Sequence, residues 1–264
     1  MEHEATIRLL VFFGVFGLLA FWELLAPRRA LTMRKSNRWL TNWGLSLTNT
    51  AVAAGMKIVL GAAAVAAALD ARDLGWGLFH QIAWPLWLEV IIAFIILDFA
   101  IWAQHWASHK IPLLWRLHRV HHADQDIDVS TAIRFHPIEI ALSMGLKILL
   151  VYALGASVVA VILFEVILNG AAMFNHANIR LGRWDRILRL AIVTPDMHRV
   201  HHSTLREEHD RNYGFNLSIW DRLFGTYTAE PKEGHLGMQI GLDEHQDRAS
   251  TRFLWSLSFP FHRS

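Results

Sequence analysis

Several stretches of this chain stay apolar long enough to cross a lipid bilayer, and nothing else in the sequence limits its fold as strongly. A membrane-crossing helix needs roughly 20 mostly apolar residues. Residues 7–26 meet that need, with Arg8 and Glu23 near the ends of the run. Glu2 and Glu4 stand where a signal peptide has basic residues, and no small-residue cleavage site precedes Pro27, so this run is expected to be retained as a span. A second run, 45–69, is interrupted by Asn49 and Lys57, and its alanine- and glycine-rich second half suits close helix packing. A third begins near Trp84 and continues through Ile101, carrying Glu89 and Asp98. The fourth, 138–174, is too long for one helix and is divided by Gly155. It reads as two spans joined by a tight turn, or as a re-entrant hairpin. The expected class is an all-α integral membrane protein with four to five transmembrane helices.

Composition agrees. Apolar residues make up 53% of the chain and charged residues 18%, against about 25% charged in soluble domains. A disordered chain is excluded, because it needs few apolar residues and high net charge. A net charge of +2 gives no footing for nucleic acid. The 12 tryptophans fit indoles seated at the headgroup level.

Basic residues set the expected orientation. Arg28, Arg29, Arg34, Lys35 and Arg38 follow the first run, which places that loop in the cytoplasm by the positive-inside rule. Counting spans forward, Asp70 and Asp73 face out, residues 104–137 face in, and everything from Asn175 onward faces in. All histidine clusters then fall on the cytoplasmic side, in a helical cap. One further span would separate them. The chain divides by this reading into an N-terminal transmembrane region (1–85), a catalytic-type region (86–228) and a cytoplasmic or interfacial tail (229–264). In that tail, Phe253, Trp255, Phe259 and Phe261 are expected at the membrane surface.

The chain has no cysteine and 16 histidines, ten of them between His105 and His202. Thiolate metal sites, disulfides and cysteine nucleophiles are excluded. His105 and His109 lie four apart, one above the other on a helix face. His118, His121 and His122 form a triad, and His198, His201 and His202 repeat it with the same intervening Arg-Val. On a helix, the second member lies about 60° to one side of the first and the third about 40° to the other, so each triad fills an arc of roughly 100°. His176 stands alone at the expected end of the last span. A lone i, i+4 histidine pair is often only a helix face, but a pair and two identical triads beside membrane spans are not random. Packing so many imidazoles without metal leaves each in need of a hydrogen-bond partner. A proton relay asks for a chain of single groups instead. The clusters therefore read as metal ligands. Imidazole suits zinc, copper, iron and nickel. Eight or nine histidines exceed the ligand number of one site, so two ions are implied. Iron that activates dioxygen fits such a pair beside a bilayer, and zinc is the replacement.

The pattern HxxxH, HxxHH, HxxHH among membrane spans resembles the fatty acid hydroxylase / sterol desaturase superfamily of integral membrane di-iron oxygenases. Surrounding words resemble it too: Ser130 to Pro137 with Glu139, Asn175 to Asn178, Thr194-Pro195, Asn212 to Gly214 and Trp220 to Tyr227. The resemblance covers about 86–242. It implies His105, His109, His118, His121, His122, His176, His198, His201 and His202 as ligands of two iron ions. His136 is a further candidate, whose other role is simply to precede Pro137 at a helix start. The resemblance also implies dioxygen-dependent hydroxylation or desaturation of a lipid drawn from the bilayer. The words around Thr131 and Trp220 lean towards the sterol desaturase and alkylglycerol ether-cleaving branch. No dinucleotide fingerprint, Walker motif or nucleophile elbow is present, so electrons are expected from a separate donor protein. The alternative class is a non-catalytic membrane protein that binds zinc.

Carboxylates and amides supply the expected supports. Asp98 precedes His105 by seven residues, nearly two turns, and is expected to accept that ligand's second N–H. Glu139 and Asp196 are weaker candidates for orienting ligands, and Asn175 and Asn178 are expected either to hydrogen-bond ligands or to fix the chain turn. Asp221 reads as a structural pair or cap. The acidic stretch 124–128 reads as a solvated loop, with a docking patch for a basic electron donor as the alternative. His3, His80, His209, His235, His245 and His262 read as surface or loop residues.

Overall fold

The computed structural model describes residues 4–60 and 64–262, without the side chains of 4 and 57–60. The chain is built from α1 (Glu4–Leu25), α2 (Lys35–Leu60), α3 (Ala64–Asp73), α4 (Leu86–Lys110), α5 (Pro112–His122), α6 (Pro137–Leu154), α7 (Val158–His176), α8 (Arg183–Leu188), α9 (Pro195–His201) and shorter turns of helix. Among the described residues there are no strands, only isolated β-bridges. Ala5–Leu25 of α1, and α4, α6 and α7 whole, are long and apolar enough to cross a membrane. Their outer faces leave Leu10, Phe13, Leu18, Ile91, Leu149 and Ile167 exposed, as lipid contact requires. The protein is an integral membrane protein.

The second expected run does not form one continuous helix. Its N-terminal part extends α2, whose first turns are polar and whose Arg38, Thr41 and Asn42 are buried against other protein groups. Residues 61–63 lie outside the described part, as does the Lys57 side chain, and α3 follows, packed on α6 and α7. Four helices among the described residues therefore meet the length and apolarity of a span. The long run at 138–174 does divide into two spans. Gly155 ends α6 at φ 64°, in the left-handed region open to glycine, and the Ser157 hydroxyl caps α7 by accepting from Ala160 N–H. A Cβ on Gly155 would lie 2.5 Å from the Trp76 carbonyl oxygen, so the 74–85 loop docks on this turn only because the residue is glycine.

At the opposite end of the bundle, the chain between spans folds into a cap. Pro112 starts α5 immediately after α4, and Pro195 starts α9 with Thr194 accepting from Met197 N–H. The acidic stretch expected to be solvated is instead buried. Asp124, Asp126 and Asp128 are each 1–2% exposed. Arg38, fully buried, donates to Asp124 through two nitrogens at 2.6 and 2.9 Å and to Asp128 at 2.6 Å. Asp126 accepts from the backbone N–H groups of Thr32 and Met33. A basic loop and an acidic loop thus neutralise each other inside the cap, which pairing along the chain does not reveal. The 229–262 segment is also part of the cap rather than a loose tail. Phe259 is buried under the Arg119 guanidinium, which donates to the Phe259 and His262 carbonyls. Trp255 stacks on Phe259 and is half-buried. Of the four aromatics expected at the membrane, only Phe261 is exposed.

Candidate metal centre

Nine histidines converge in the cap, directly above the bundle, and they fall into two groups. His105, His109, His118, His122 and His201 form one, and His121, His176, His198 and His202 the other. Within each group the ligand nitrogens lie within 4.8 Å of one another, and all nine residues are buried. These are the nine residues that the sequence resemblance implied. Each triad, however, serves both groups. The i, i+4 members (His118 with His122, His198 with His202) stay together, while the i+3 member (His121, His201) crosses to the other group. Helix geometry explains the split. The i, i+4 pair is separated by about 40° around the axis, whereas i+3 and i+4 are separated by about 100°. Two helices, α5 and α9, therefore present their triads in exchanged sense around a common pair of centres.

The outward ring nitrogens are tied to acceptors. His105 Nδ1–H donates to the Tyr213 carbonyl at 2.7 Å, His176 Nδ1–H to Ala172 at 2.7 Å, His201 Nδ1–H to Arg211 at 2.6 Å and His121 Nδ1–H to Arg134 at 3.1 Å. His118 Nδ1–H donates to Glu139 Oε1 at 2.6 Å. A carbonyl or carboxylate only accepts, so it fixes the tautomer with the proton on Nδ1 and the lone pair on Nε2. His105 Nε2 then faces His118 Nε2 at 3.0 Å, and His121 Nε2 faces His176 Nε2 at 3.1 Å. Two bare lone pairs this close repel, and a cation between them removes the conflict. Both nitrogens of His122 and His202, and Nε2 of His201, are buried with no hydrogen-bond partner among the described residues. The donor set fits metal ions in both groups.

Electrostatics agrees. Burial, reinforced by neighbouring imidazoles, holds His121, His122, His198, His201 and His202 well below the ordinary histidine value. They are neutral at pH 7, the form that ligates a metal.

The supports differ from expectation at several positions. Asp98 does not orient His105. It accepts from Asn216 Nδ2, Trp220 Nε1 and the Leu217 backbone N–H, at 2.8, 2.8 and 3.3 Å. Seven residues brought it to the same helix face, but the 212–220 segment packs between. Asp221 accepts from the backbone N–H groups of Tyr213 and Gly214 at 2.8 Å and from Trp102 and Thr226. It has the structural role expected of it, and it fixes the carbonyl that orients His105. Asn175 donates to the Phe215 carbonyl and not to a histidine. Asn178 fixes the turn beside α1 through the Arg29 backbone. Asp196 pairs with Arg28 and Arg199. His136 lies outside both groups, capping α6 through Nδ1 and reaching the Leu257 carbonyl with Nε2.

Glu139 accepts a hydrogen bond from one ligand, His118, and Asp210 Oδ1 lies 3.4 Å from Nδ1 of another, His109. Outer partners of this kind are typically worth about 10–100-fold in metal affinity. Glu139→Gln keeps the oxygen and removes the charge, so at least a tenfold weaker hold on metal is expected, read by chelator competition on the purified chain. Unchanged retention would show that His118 needs no anionic partner.

Two histidines expected at the surface are buried. His235 packs between Asp196 and Glu230. His209 sits 4.5 Å from the His122 ring and 4.8 Å from that of His109, between centroids. Its Nδ1–H donates to the Ser203 carbonyl, and with His109 and Asp210 it makes a third possible ligand group at the edge of the five-histidine group. Burial pushes it down to about 4. No spacing rule links it to the triads. Among the others, His80 and His262 are exposed, His245 is half-buried beside Trp255, and His3 lies outside the described residues.

A cavity of about 790 Å³ lies beneath the histidines. His105, His118 and Glu139 line one part of it, and apolar residues of the spans, such as Phe12, Ile101, Ile140 and Leu168, line much of the rest.

Comparison with known proteins bears on this arrangement. The sequence profile of the fatty acid hydroxylase family matches residues 90–226, more than half of the chain. An ornithine lipid hydroxylase from Rhizobium tropici is 28% identical over 96% of this chain and 75% of its own length. Human alkylglycerol monooxygenase is 34% identical over 55% of this chain, which spans about a third (32%) of that protein. A fatty acid hydroxylase from a Lecanicillium species is 29% identical over 76% of this chain and 56% of its own length. No solved structure is significantly similar to the chain. The histidine pattern, the apolar helices and the profile match agree: this chain is a membrane oxidoreductase belonging to the fatty acid hydroxylase family.

Proposed function

We propose that the protein hydroxylates a membrane lipid at a pair of iron ions, one held by the five-histidine group and one by the four-histidine group. The observation that carries this reading is the opening of the lower histidines, His105 and His118, onto a cavity between membrane-spanning helices. Two irons, when bound, supply the redox chemistry by which R–H, dioxygen, two electrons and two protons become R–OH and water. The protein's own residues do the rest. Tyr213, Arg134, Ala172 and Arg211 carbonyls and Glu139 hold the imidazoles in one tautomer. Phe135 stacks on His121, and Phe215 lies against His105 and His198, keeping water from the ligands. The cavity walls admit a lipid chain from the bilayer.

The relative that aligns along nearly the whole chain is named for hydroxylating a lipid, which supports hydroxylation as the first reading. Ether cleavage of an alkylglycerol is the second, supported by the human relative's name over its shorter match. Electrons come from a separate donor protein. The histidine end faces the cytoplasm, because Arg34, Lys35, Lys110, Arg116, Arg183 and Arg206 gather there, while the 74–85 and 155–157 connections at the other end carry no lysine or arginine.

The test uses the full chain in detergent. Two metal ions per chain are expected, with iron after growth in iron-rich medium. Oxygen uptake with a reduced donor should be coupled to a lipid one oxygen atom heavier. Two zinc ions and no uptake with any donor would favour the non-catalytic class. Because the chain lacks cysteine, sidedness is read by single substitutions in intact cells. A membrane-impermeant maleimide should label Leu74→Cys and spare Lys232→Cys; the reverse pattern would invert the orientation.

A further inference from the structure

We propose that the cavity beneath the histidines carries a headgroup site, formed by Lys147, Glu165 and Arg8, that binds the carboxylate or phosphate of an anionic lipid. Taking the lipid so bound as the substrate rests on the function proposed above; the site itself stands on the following geometry. Lys147 of α6 donates to Glu165 Oε1 at 2.7 Å, and Arg8 of α1 donates to Glu165 Oε2 at 2.6 Å. All three line the cavity that also reaches His105, His118 and Glu139. Ionisable groups within membrane-crossing helices are costly and are by default sites of function. A purely structural ion pair between helices would serve its purpose facing any neighbour. These three instead face the same chamber as the metal ligands.

The chemistry of the cluster selects the ligand. Each Glu165 oxygen already accepts from a cation, so the carboxylate's charge is engaged. The Lys147 ammonium has three N–H donors, and one of them is spent on Glu165. An ammonium with N–H donors to spare takes a ligand that accepts hydrogen bonds and carries negative charge. Polar side chains continue along the wall towards the histidines, among them Ser143, Gln104 and Asn49.

The spacing sets where such a ligand would meet the metals. Lys147 lies eight residues beyond Glu139 on α6, about 12 Å at 1.5 Å per residue. A lipid anchored at Lys147 therefore presents a carbon well along its chain to the histidines, not the carbon next to its headgroup.

Binding is measured on the full chain in detergent, without turnover, using radiolabelled palmitate, lysophosphatidate and methyl palmitate. Because no reaction is read, failure of the oxygenase reading leaves this result standing. At least one of the two anions should bind tenfold or more tightly than the neutral ester. Preference for palmitate assigns a carboxylate, and preference for lysophosphatidate assigns a phosphate headgroup. Lys147→Met should abolish the preference while leaving methyl palmitate binding unchanged, and Lys147→Arg should preserve it. Glu165→Gln removes the competing anion and should tighten anion binding several-fold, whereas a cluster that only holds helices together would lose binding in both Lys147→Met and Glu165→Gln. Equal binding of charged and neutral lipids by the unaltered chain overturns the proposal, as does an anion preference that survives Lys147→Met.

Discussion

His202→Ala should lose activity by more than about 100-fold, since the outer partners of metal ligands alone account for up to that much. His202 is buried, and both of its ring nitrogens lack any hydrogen-bond partner among the described residues. In its group only His121, His176 and His198 remain after the substitution. The loss should be selective. Metal content is expected to fall from two ions per chain towards one, because the five-histidine group shares no residue with the four-histidine group. His122→Ala makes the converse case from the other group. His80→Ala, at an exposed position far from the cap, should retain both ions and full activity. Metal analysis and oxygen uptake on the same preparations check this. Two ions and full activity in His202→Ala would contradict the assignment of that group.

Arg38→Met should destabilise the fold more than any other single change in the cap. Removing one partner of a buried ion pair costs about 3–5 kcal/mol, because the remaining charge is left without compensation. Here two carboxylates, Asp124 and Asp128, lose their guanidinium at once, while Asp124 keeps contacts with Asn42 and Thr131. Burial alone would raise the Asp124 pKa, and the Arg38 charge overrides burial and lowers it. The Arg38–Asp124 pair therefore contributes stability above the usual aspartate value, and that contribution is lost as pH falls through the depressed one. In Arg38→Met the sign reverses. Burial, no longer offset, pushes the Asp124 carboxyl above its unfolded value, so the folded variant takes up a proton that the unfolded chain does not, and its stability declines as pH rises. Thermal melts in detergent should show a deficit that is larger at pH 8 than at pH 5. A deficit below 1 kcal/mol, or one independent of pH, would show that the acids find other partners. Because Asp124 lies two residues after His122, this network also holds the end of α5 in register with the site.

The chain's own order determined a good deal. Apolar runs of span length survive any packing arrangement, because a bilayer demands that backbone groups pair within the segment. Four of the expected crossings are accordingly helices of the right length, and Gly155 divides the last two as its conformational freedom suggests. The histidine pentapeptides were legible because helical geometry is local: three to four residues fix which side chains share a face. Both triads and the pair at His105 and His109 do reach one site.

What lay beyond the sequence was every relation between distant residues. The exchange of His121 and His201 between the two groups depends on how α5 and α9 face each other. Asp98 shares a helix face with His105, yet an intervening loop takes its hydrogen bonds, while carboxylates from elsewhere in the chain, Glu139 beside His118 and Asp210 beside His109, come within reach of ligands. The carbonyls of Tyr213, Arg134, Ala172 and Arg211 carry no side-chain signature at all. The 124–128 acids read as a solvated loop until the cap closes them on Arg38. His209 looked like a surface residue for the same reason. Spacing along a helix specifies direction, whereas burial and partnership are properties of the closed shape, where long-range packing decides which buried polar groups find one another.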